Sequence, residues 1–412
     1  MKQKINLPQF DYVNVKVNLE SNSLIVYGAG MFIEPVIISL KQKGLNPLAI
    51  IDSNNSKQDT LHMGITVISP HSAIEKFPNS LVVIASAPHL IKEISEYCKL
   101  LGWKDVIDAA CLLSDFDFDN STFTNGVSQT NFNMDNYYFE YCRIYLPELV
   151  IVKQLDVMIT ERCSLKCKDC SNLMQYYIAP TDADKNIANF SVEKFATSVD
   201  YILELRVIGG EPFVNKECFE IIDFLKSISN KSRICVYTNG TIIPKDANLK
   251  SLVGDNIFLR ISDYGGVSRN VTGLVKALDN ANANYDVIRF DKWQDCAKIE
   301  YFEESEAQLT AKFKECCVQN YFTILNANLY NCPFAANAIN INAIPKFEDE
   351  YIEIPSTNVE DIRRIIRSMI YEKRYYGSCK YCAGRSLDDT PLVAALQTKT
   401  TLPFKSYVIN RI

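Results

Sequence analysis

Five short apolar segments between residues 155 and 290 constrain the fold more than any other feature of the sequence. Helical patterns, among them Val192–Leu203 and Lys216–Ser227, fall between most of these segments. Strands that alternate with helices indicate a parallel sheet with β/α connections. A series of roughly 140 residues is too short for a closed eight-stranded barrel and fits a partial (β/α)6, TIM-like barrel. The predicted strands are Leu155–Ile159, Leu205–Ile208, Arg233–Tyr237, Ile257–Ile261 and Asp286–Phe290.

A second β/α pattern lies in the first part of the chain. The predicted strand Leu24–Tyr27 is followed by the turn Gly28–Gly30 and by an apolar helix over Met31–Gln42. Asp52 follows the next apolar strand, where dinucleotide-binding folds place a ribose-binding acid. The third position of the glycine fingerprint is Ile33, so the pattern favours a docking or substrate-handling module while leaving a nucleotide site open. We therefore predict a Rossmann-like α/β domain here.

Charge and hydropathy exclude several classes of partner. The 412 residues include 43 Lys and Arg against 49 Asp and Glu, which gives a formal net charge of −6. Such a balance is not that of a basic nucleic-acid-binding protein. The chain also shows no apolar core of a signal peptide and no apolar run long enough to span a bilayer. We expect a cytoplasmic protein with no nucleic-acid and no membrane partner.

The chain contains 14 cysteines but only three histidines, the last of them His89. In a reducing compartment, cysteines in such number are buried small side chains or ligands of metals and redox groups. Chemistry beyond His89 proceeds without imidazole. This excludes Ser-His-Asp, Cys-His and His-zinc mechanisms from most of the chain.

Three cysteines follow the first predicted barrel strand with Cys-x3-Cys-x2-Cys spacing: Cys163, Cys167 and Cys170. Thiolates are the soft ligands that iron–sulfur clusters require, and three of them on one loop can hold three irons of a cubane while the fourth iron stays open. A structural zinc would need a fourth protein ligand, and none is nearby. Lys166 and Lys168 make this a polar loop, which argues against a chance group of buried cysteines.

This cysteine spacing resembles the signature of the radical S-adenosylmethionine superfamily. The resemblance implies that the open iron binds S-adenosylmethionine, and that reduction by a flavodoxin- or ferredoxin-type partner cleaves it to a 5′-deoxyadenosyl radical, which abstracts a substrate hydrogen. Further motifs of the superfamily follow successive strands, with glycines that let the backbone approach the ligand and a carboxylate that can accept from its ammonium group. The cofactor-binding residues implied are Gly209, Gly210, Glu211, Pro212, Asn239 and Ser262.

A second group of cysteines lies in the C-terminal part of the chain. Cys316 and Cys317 precede a predicted β-hairpin, Cys332 follows it, and Cys379 and Cys382 form a Cys-x2-Cys knuckle. A hairpin returns its ends to one place, so four thiolates can converge on a fully ligated cluster or on a zinc ion. Adjacent cysteines point in different directions, so we expect only one of the first pair to be a ligand, with a slight preference for Cys317. The arrangement resembles the twitch domain, a shortened SPASM extension with one auxiliary [4Fe–4S] cluster.

The predicted organisation is a Rossmann-like domain (residues 1–115), a linker with a connecting helix (116–150), a radical S-adenosylmethionine core (151–300) and a twitch-like domain (301–412). Cys296 is a candidate hydrogen-atom donor to a substrate radical, as superfamily epimerases use a cysteine. The resemblance favours oxidation, epimerisation or dehydration of a sugar or nucleotide-linked sugar. The alternatives are maturation of a ribosomal peptide or protein and, in a different class, a non-catalytic zinc or iron–sulfur module.

Overall fold

The computed structural model describes residues 10–114, 134–229, 232–385 and 391–408. The chain divides into two compact units, Met1–Pro147 and Glu148–Ile412. Most of the segment predicted as a linker before the connecting helix lies outside the described residues. In the described ranges, no helix has both the length and the apolar character needed to cross a membrane.

The first unit is built on a six-stranded sheet, as its alternating pattern predicts. The strands are β1 (Leu24–Tyr27), β2 (Ile50–Ile51), β3 (Leu61–His62), β4 (Ile65–Ile68), β5 (Leu81–Ile84) and β6 (Val106–Asp108). The helices are α1 (Tyr12–Ser21), α2 (Ile33–Gln42), α3 (Pro70–Lys76), α4 (Pro88–Leu101), α5 (Ala110–Ser114) and α6 (Met134–Tyr145). The sheet order is β3-β4-β2-β1-β5-β6, and every pairing except β3–β4 is parallel. The Rossmann-like α/β class is confirmed.

The second unit is built on an eight-stranded sheet that contains the predicted partial barrel. Its strands are β7 (Ile151–Met158), β8 (Tyr201–Ile208), β9 (Arg233–Thr238), β10 (Ile257–Asp263), β11 (Tyr285–Arg289), β13 (Tyr321–Leu325), β14 (Asn328–Tyr330) and β15 (Tyr351–Glu353). The order is β11-β10-β9-β8-β7-β13-β14-β15. The first six strands in this order, β11 through β7 and then β13, pair in parallel. Strand β14 pairs antiparallel with both of its neighbours. A separate antiparallel pair joins β12 (Lys292–Gln294) to β16 (Pro391–Val393).

Seven helices complete the described part of this unit. They are α7 (Lys185–Ser198), α8 (Cys218–Ile228), α9 (Asp246–Leu249), α10 (Val271–Ala281), α11 (Glu306–Lys314), α12 (Pro333–Asn340) and α13 (Val359–Tyr371). The predicted helix Val192–Leu203 was wrong at both ends. Helix α7 begins seven residues earlier, because the Asp184 side chain caps it by accepting from the amide of Ile187 at 3.0 Å. The C-terminal residues of the predicted helix, from Tyr201 onward, belong to strand β8.

The predicted hairpin is present, but its first strand has a second role. Strand β13 pairs antiparallel with β14 on one edge and parallel with β7 on the other. It is therefore the sixth parallel strand of the sheet, supplied by the region that the sequence assigns to the auxiliary domain. Periodicity identifies a strand but not the neighbours on its two edges, which is why the sequence could not predict this pairing.

Candidate cluster and cofactor sites

A cavity of about 350 Å³ lies where the parallel strands of the second unit end. The cysteine loop after β7 forms one side of it, and the segments after β8, β9 and β10 form others. Binding sites in parallel α/β sheets occur at these carboxyl ends. Seven of the residues predicted for the cysteine loop and for cofactor binding line the cavity together: Cys163, Cys167, Cys170, Gly209, Gly210, Asn239 and Ser262.

The three loop cysteines are partly or fully buried thiols with neighbouring donors. The sulfur of Cys163 accepts from the Asn239 side-chain amide at 3.6 Å, and that of Cys167 accepts from the Gln397 amide at 3.1 Å. Burial raises the pKa of all three thiols above the ordinary value, that of Cys167 to about 12. Iron binding replaces the proton, so these thiols suit a metal ligand better than a free nucleophile.

The donor set suits a cluster held on one loop. No three His, Cys, Asp or Glu side chains of the described ranges converge on a point that could hold a single metal ion. A cubane requires no such convergence, because each thiolate binds a different iron atom. Three thiolates with nitrogen donors nearby provide the ligands and the hydrogen bonds to sulfur that tune such clusters.

The two glycines of the Gly-Gly-Glu-Pro motif let the backbone approach the cysteine loop. A Cβ at Gly209 would lie 2.4 Å from the carbonyl oxygen of Thr160. One at Gly210 would lie 2.3 Å from the carbonyl oxygen of Arg162 and 2.7 Å from Cβ of Cys163. Both glycines also line the cavity, so they leave room for a ligand while fixing the loop beside it.

Glu211 differs from its predicted role as an acceptor for a ligand's ammonium group. Its carboxylate is buried and accepts from the amide of Phe213 (3.2 Å), the hydroxyl of Thr238 (2.9 Å) and the amide of Asn239 (2.7 Å). Burial raises the pKa of Glu211 to about 7, and these three hydrogen bonds oppose the shift. Neither Glu211 nor Pro212 lines the cavity. The glutamate ties the loop after β8 to the loop after β9.

Two charged barrel residues that we did not predict as site residues also line the cavity. Asp156 on β7 and Arg206 on β8 are register partners, and Nε of the arginine lies 3.2 Å from Oδ1 of the aspartate. The Arg206 guanidinium also donates to Gln154 at 2.9 Å and lies 4.5 Å from the ring centre of Tyr237. The contact between Nε and Oδ1 is an ion pair without hydrogen-bond geometry, so the buried Oδ1 of Asp156 has no hydrogen-bond partner among the described residues. Side chains alternate between the two faces of a sheet along each strand, and this alternation places Asp156 and Arg206 on one face. It is the sequence signal from which both residues could have been found.

A second, smaller cavity of about 40 Å³ is bordered by four cysteines of the C-terminal region. The structure places Cys316 on this cavity, and Cys317 lines the larger cavity instead. The slight preference for Cys317 as the ligand is therefore not supported by the geometry. The four cysteines brought together are Cys316, Cys332, Cys379 and Cys382.

Local contacts hold the backbone around this second group of cysteines. The sulfur of Cys332 caps α12 by accepting from the amide of Ala335 at 3.4 Å. The Lys312 ammonium group donates to the carbonyl oxygens of Cys379 (2.8 Å) and Cys382 (2.9 Å). Two cysteines therefore remain at a fixed separation on the knuckle, while Cys332 starts a helix. Cys296, the candidate hydrogen-atom donor, is buried and lines the larger cavity together with Cys317.

In the first unit, Asp52 is already engaged by its own neighbours. Its carboxylate accepts from the amides of Ala29 and Asn54, both at 2.8 Å, and forms an ion pair with Lys57 at 3.3 Å. A Cβ at Gly28 would lie 2.6 Å from the carbonyl oxygen of Ala85, which directly follows β5, so packing requires a glycine at this position. These contacts favour the docking or substrate-handling interpretation over a ribose site.

Sequence comparison gives one family-model match and matches to curated relatives. A family model described as "4Fe-4S single cluster domain" matches residues 154–253, which include the cysteine loop. The GTP 3′,8-cyclase of Clostridium acetobutylicum is 27% identical over 135 residues, covering 30% of this chain and 42% of the relative. Molybdenum cofactor biosynthesis protein 1 of Dictyostelium discoideum is 27% identical over 106 residues, covering 25% of this chain and 16% of the relative.

The chain thus spans about two fifths of the length of these GTP 3′,8-cyclase relatives. Among solved structures, BtrN in complex with AdoMet and 2-DOIA is 13% identical, with a TM-score of 0.41, and the match covers 62% of this chain and 97% of that one. The fold and the cysteine loop define an iron–sulfur protein with a partial β/α barrel. The family model describes a 4Fe-4S cluster domain at residues 154–253, the region that the sequence predicts as the radical S-adenosylmethionine core. The family match supports a [4Fe–4S] cluster at the cysteine loop.

Proposed function

We propose that this enzyme generates a 5′-deoxyadenosyl radical and uses it to oxidise, epimerise or dehydrate a sugar or nucleotide-linked sugar. Cys163, Cys167 and Cys170 hold the cluster that binds S-adenosylmethionine. Asn239 and Ser262 contact the bound cofactor. The electron for cleavage comes from a flavodoxin- or ferredoxin-type protein. The observation that carries the proposal is that these five residues line one cavity with polar groups of the barrel interior.

The polar lining of this cavity supports a small, hydroxyl-rich substrate. Asp156 offers carboxylate oxygens, and Arg206 offers guanidinium donors, within the same cavity as the cysteine loop. A sugar hydroxyl both donates and accepts, so it can satisfy an acidic and a basic partner at once. The relatives named as GTP 3′,8-cyclases act on a nucleotide, which is consistent with a nucleotide-linked substrate. The parallel α/β sheet of the first unit also suits such a substrate better than a peptide leader.

The positions of the remaining cysteines support two reaction outcomes. In oxidation, a carbinol carbon loses a hydrogen atom, its hydroxyl group loses a proton, and the loss of one further electron gives a carbonyl. The auxiliary cluster, whose site lies in the same unit, takes that electron. In epimerisation, a thiol returns a hydrogen atom to the carbon radical. Cys296 and Cys317 both line the larger cavity and are the candidate donors.

The first experiment measures 5′-deoxyadenosine formation by the reconstituted protein under dithionite. We expect cleavage by the unaltered protein and none by Cys167→Ala, because two thiolates do not hold a cubane with an open iron. Cys382→Ala should retain uncoupled cleavage and lose product formation. If the unaltered protein carries both clusters and forms no 5′-deoxyadenosine, the proposed function is wrong.

The substrate class is tested with a panel of UDP- and dTDP-linked sugars deuterated on the ring. Transfer of deuterium into 5′-deoxyadenosine identifies the substrate and the carbon attacked. Asp156→Asn should reduce this transfer while leaving uncoupled cleavage unchanged, since the carboxylate is assigned to substrate. Deuterium transfer only from peptides, and from no sugar nucleotide, would favour the maturase alternative.

A further inference from the structure

One arginine separates the two groups of cysteines. Arg385 lies three residues after Cys382, in a turn made by Gly384 with φ of +98°. The side chain is 6% exposed, and it lines both the 350 Å³ cavity and the 40 Å³ cavity. A cation that borders both cavities is placed to act on the charge in each.

Two hydrogen bonds, one from the guanidinium and one to the backbone carbonyl, tie Arg385 to the two cysteine loops. Nη2 of Arg385 donates to the carbonyl oxygen of Ser171 at 2.8 Å, and Ser171 directly follows Cys170. The backbone carbonyl of Arg385 accepts from the amide of Cys317 at 3.1 Å. One residue is thus tied to the loop of the first cluster and to the segment that carries Cys316.

The charge of Arg385 has no carboxylate partner in ion-pair contact among the described residues. Its Nε is buried and makes no hydrogen bond there. A buried, uncompensated guanidinium is costly, so such a group is retained where a negative charge faces it. The side chains that surround its charge include the thiols of Cys296, Cys382, Cys332 and Cys316. The last three border the smaller cavity, and as thiolate ligands of a cluster they would supply the missing negative charge.

We propose that Arg385 is a fixed cation that raises the reduction potential of the auxiliary cluster. Adding an electron to a thiolate-ligated cluster increases its negative charge, and a buried cation nearby favours that state. The inference rests on the proposed function, in which this cluster accepts an electron from the substrate radical. A higher reduction potential makes that electron transfer more favourable. Arg385 therefore acts on the cluster through its charge and not as a ligand.

The test uses the full chain with Cys163, Cys167 and Cys170 replaced by alanine, so that only the auxiliary cluster remains. The midpoint potential is measured by EPR-monitored redox titration together with iron content. Arg385→Met and Arg385→Gln should shift the potential to more negative values at unchanged iron content. Arg385→Lys should shift it less, because the charge is kept. Lys380→Met removes a neighbouring cation that borders neither cavity and should not shift it.

Each outcome decides the proposal. An unchanged potential in a loaded Arg385→Met or Arg385→Gln protein overturns it. Loss of iron in both neutral variants, with iron retained in Arg385→Lys, supports it, because the charge alone then decides cluster binding. Loss of iron in all three variants assigns the residue to folding and overturns it. No substrate is needed, so failure of the sugar assignment leaves this result intact, and an unchanged potential would refute the inference even in a demonstrated sugar oxidase.

Discussion

The side-chain amide of Gln397 donates to the sulfur of Cys167 at 3.1 Å, although 230 residues separate them. The same glutamine accepts from the amide of Lys166 at 2.8 Å, and its backbone forms a bridge with Cys167. The C-terminal segment thereby lies along the cysteine loop. A donor aimed at a cluster sulfur stabilises the reduced, more negative state.

Replacing Gln397 with leucine should therefore lower the reduction potential of the cluster on this loop. One neutral hydrogen bond contributes about 1 kcal/mol, which corresponds to a shift of roughly 50 mV for a one-electron couple. The measurement is an EPR-monitored titration of protein with an intact loop. Thr398→Ala is the matched control, since Thr398 bonds to carbonyl oxygens and not to sulfur. Equal potentials in the leucine variant and in the control would show that the contact has no electronic role.

The adjacent cysteines Cys316 and Cys317 provide a matched pair of variants. Cys316→Ser should lose the auxiliary cluster, about four of roughly eight irons per chain, because Cys316 borders the smaller cavity. Cys317→Ser should keep all of the iron, since its side chain lines the larger cavity. Iron and sulfide analysis after anaerobic reconstitution decides the question. Iron loss in the Cys317 variant alone would restore the assignment favoured by the sequence. Zinc in place of four irons would identify the C-terminal cysteines as a zinc site.

Local spacing made the cysteine loop and the strand ends predictable. Three cysteines within eight residues and motifs directly after strands are short-range patterns, so Cys163, Gly209, Asn239 and Ser262 could be assigned before the fold was known. Parallel strands place such segments at one end of a sheet, and the structure brings these residues to one cavity.

Long-range contacts could not be predicted in the same way. Gln397 and Arg385 reach the cysteine loop from the far end of the chain, and neither belongs to a spacing pattern. Glu211 belongs to the predicted motif, but its carboxylate faces backbone amides and the Thr238 hydroxyl and not the cavity. The side-chain direction of a turn residue depends on the neighbouring loop, which sequence spacing does not specify. Sequence spacing could not decide between Cys316 and Cys317 for the same reason.

Gly210 should not tolerate a side chain. The Cβ of an alanine would lie 2.3 Å from the carbonyl oxygen of Arg162, so the cysteine loop would have to move. We expect Gly210→Ala to lower the unfolding free energy by about 2 kcal/mol and to reduce the iron bound at the loop. Gly266→Ala is the control, because nothing lies within 4 Å of its Cβ position. Urea unfolding and iron analysis of both variants provide the comparison, and equal stability would contradict the close approach.

The buried carboxyl of Glu211 should make stability depend on pH in a defined window. Burial raises its pKa in the folded chain from 4.5 to about 7. Below about pH 4.5 the group is protonated in both states, and its contribution to stability is fully present. As pH rises to about 7, the unfolded chain releases the proton first, so this contribution is lost. The loss over the window amounts to about 3 kcal/mol.

The pH effect is measured against a variant that cannot titrate at this position. Urea unfolding of the iron-free protein is followed between pH 4 and pH 8 for the unaltered chain and for Glu211→Gln. The stability of the unaltered chain relative to the variant should fall as pH rises from about 4.5 to about 7 and then level off. Glu193→Gln, at an exposed position of α7, controls for the loss of a glutamate away from this loop. A constant difference for Glu211→Gln would mean that its three hydrogen bonds to Phe213, Thr238 and Asn239 hold the carboxylate ionised despite burial.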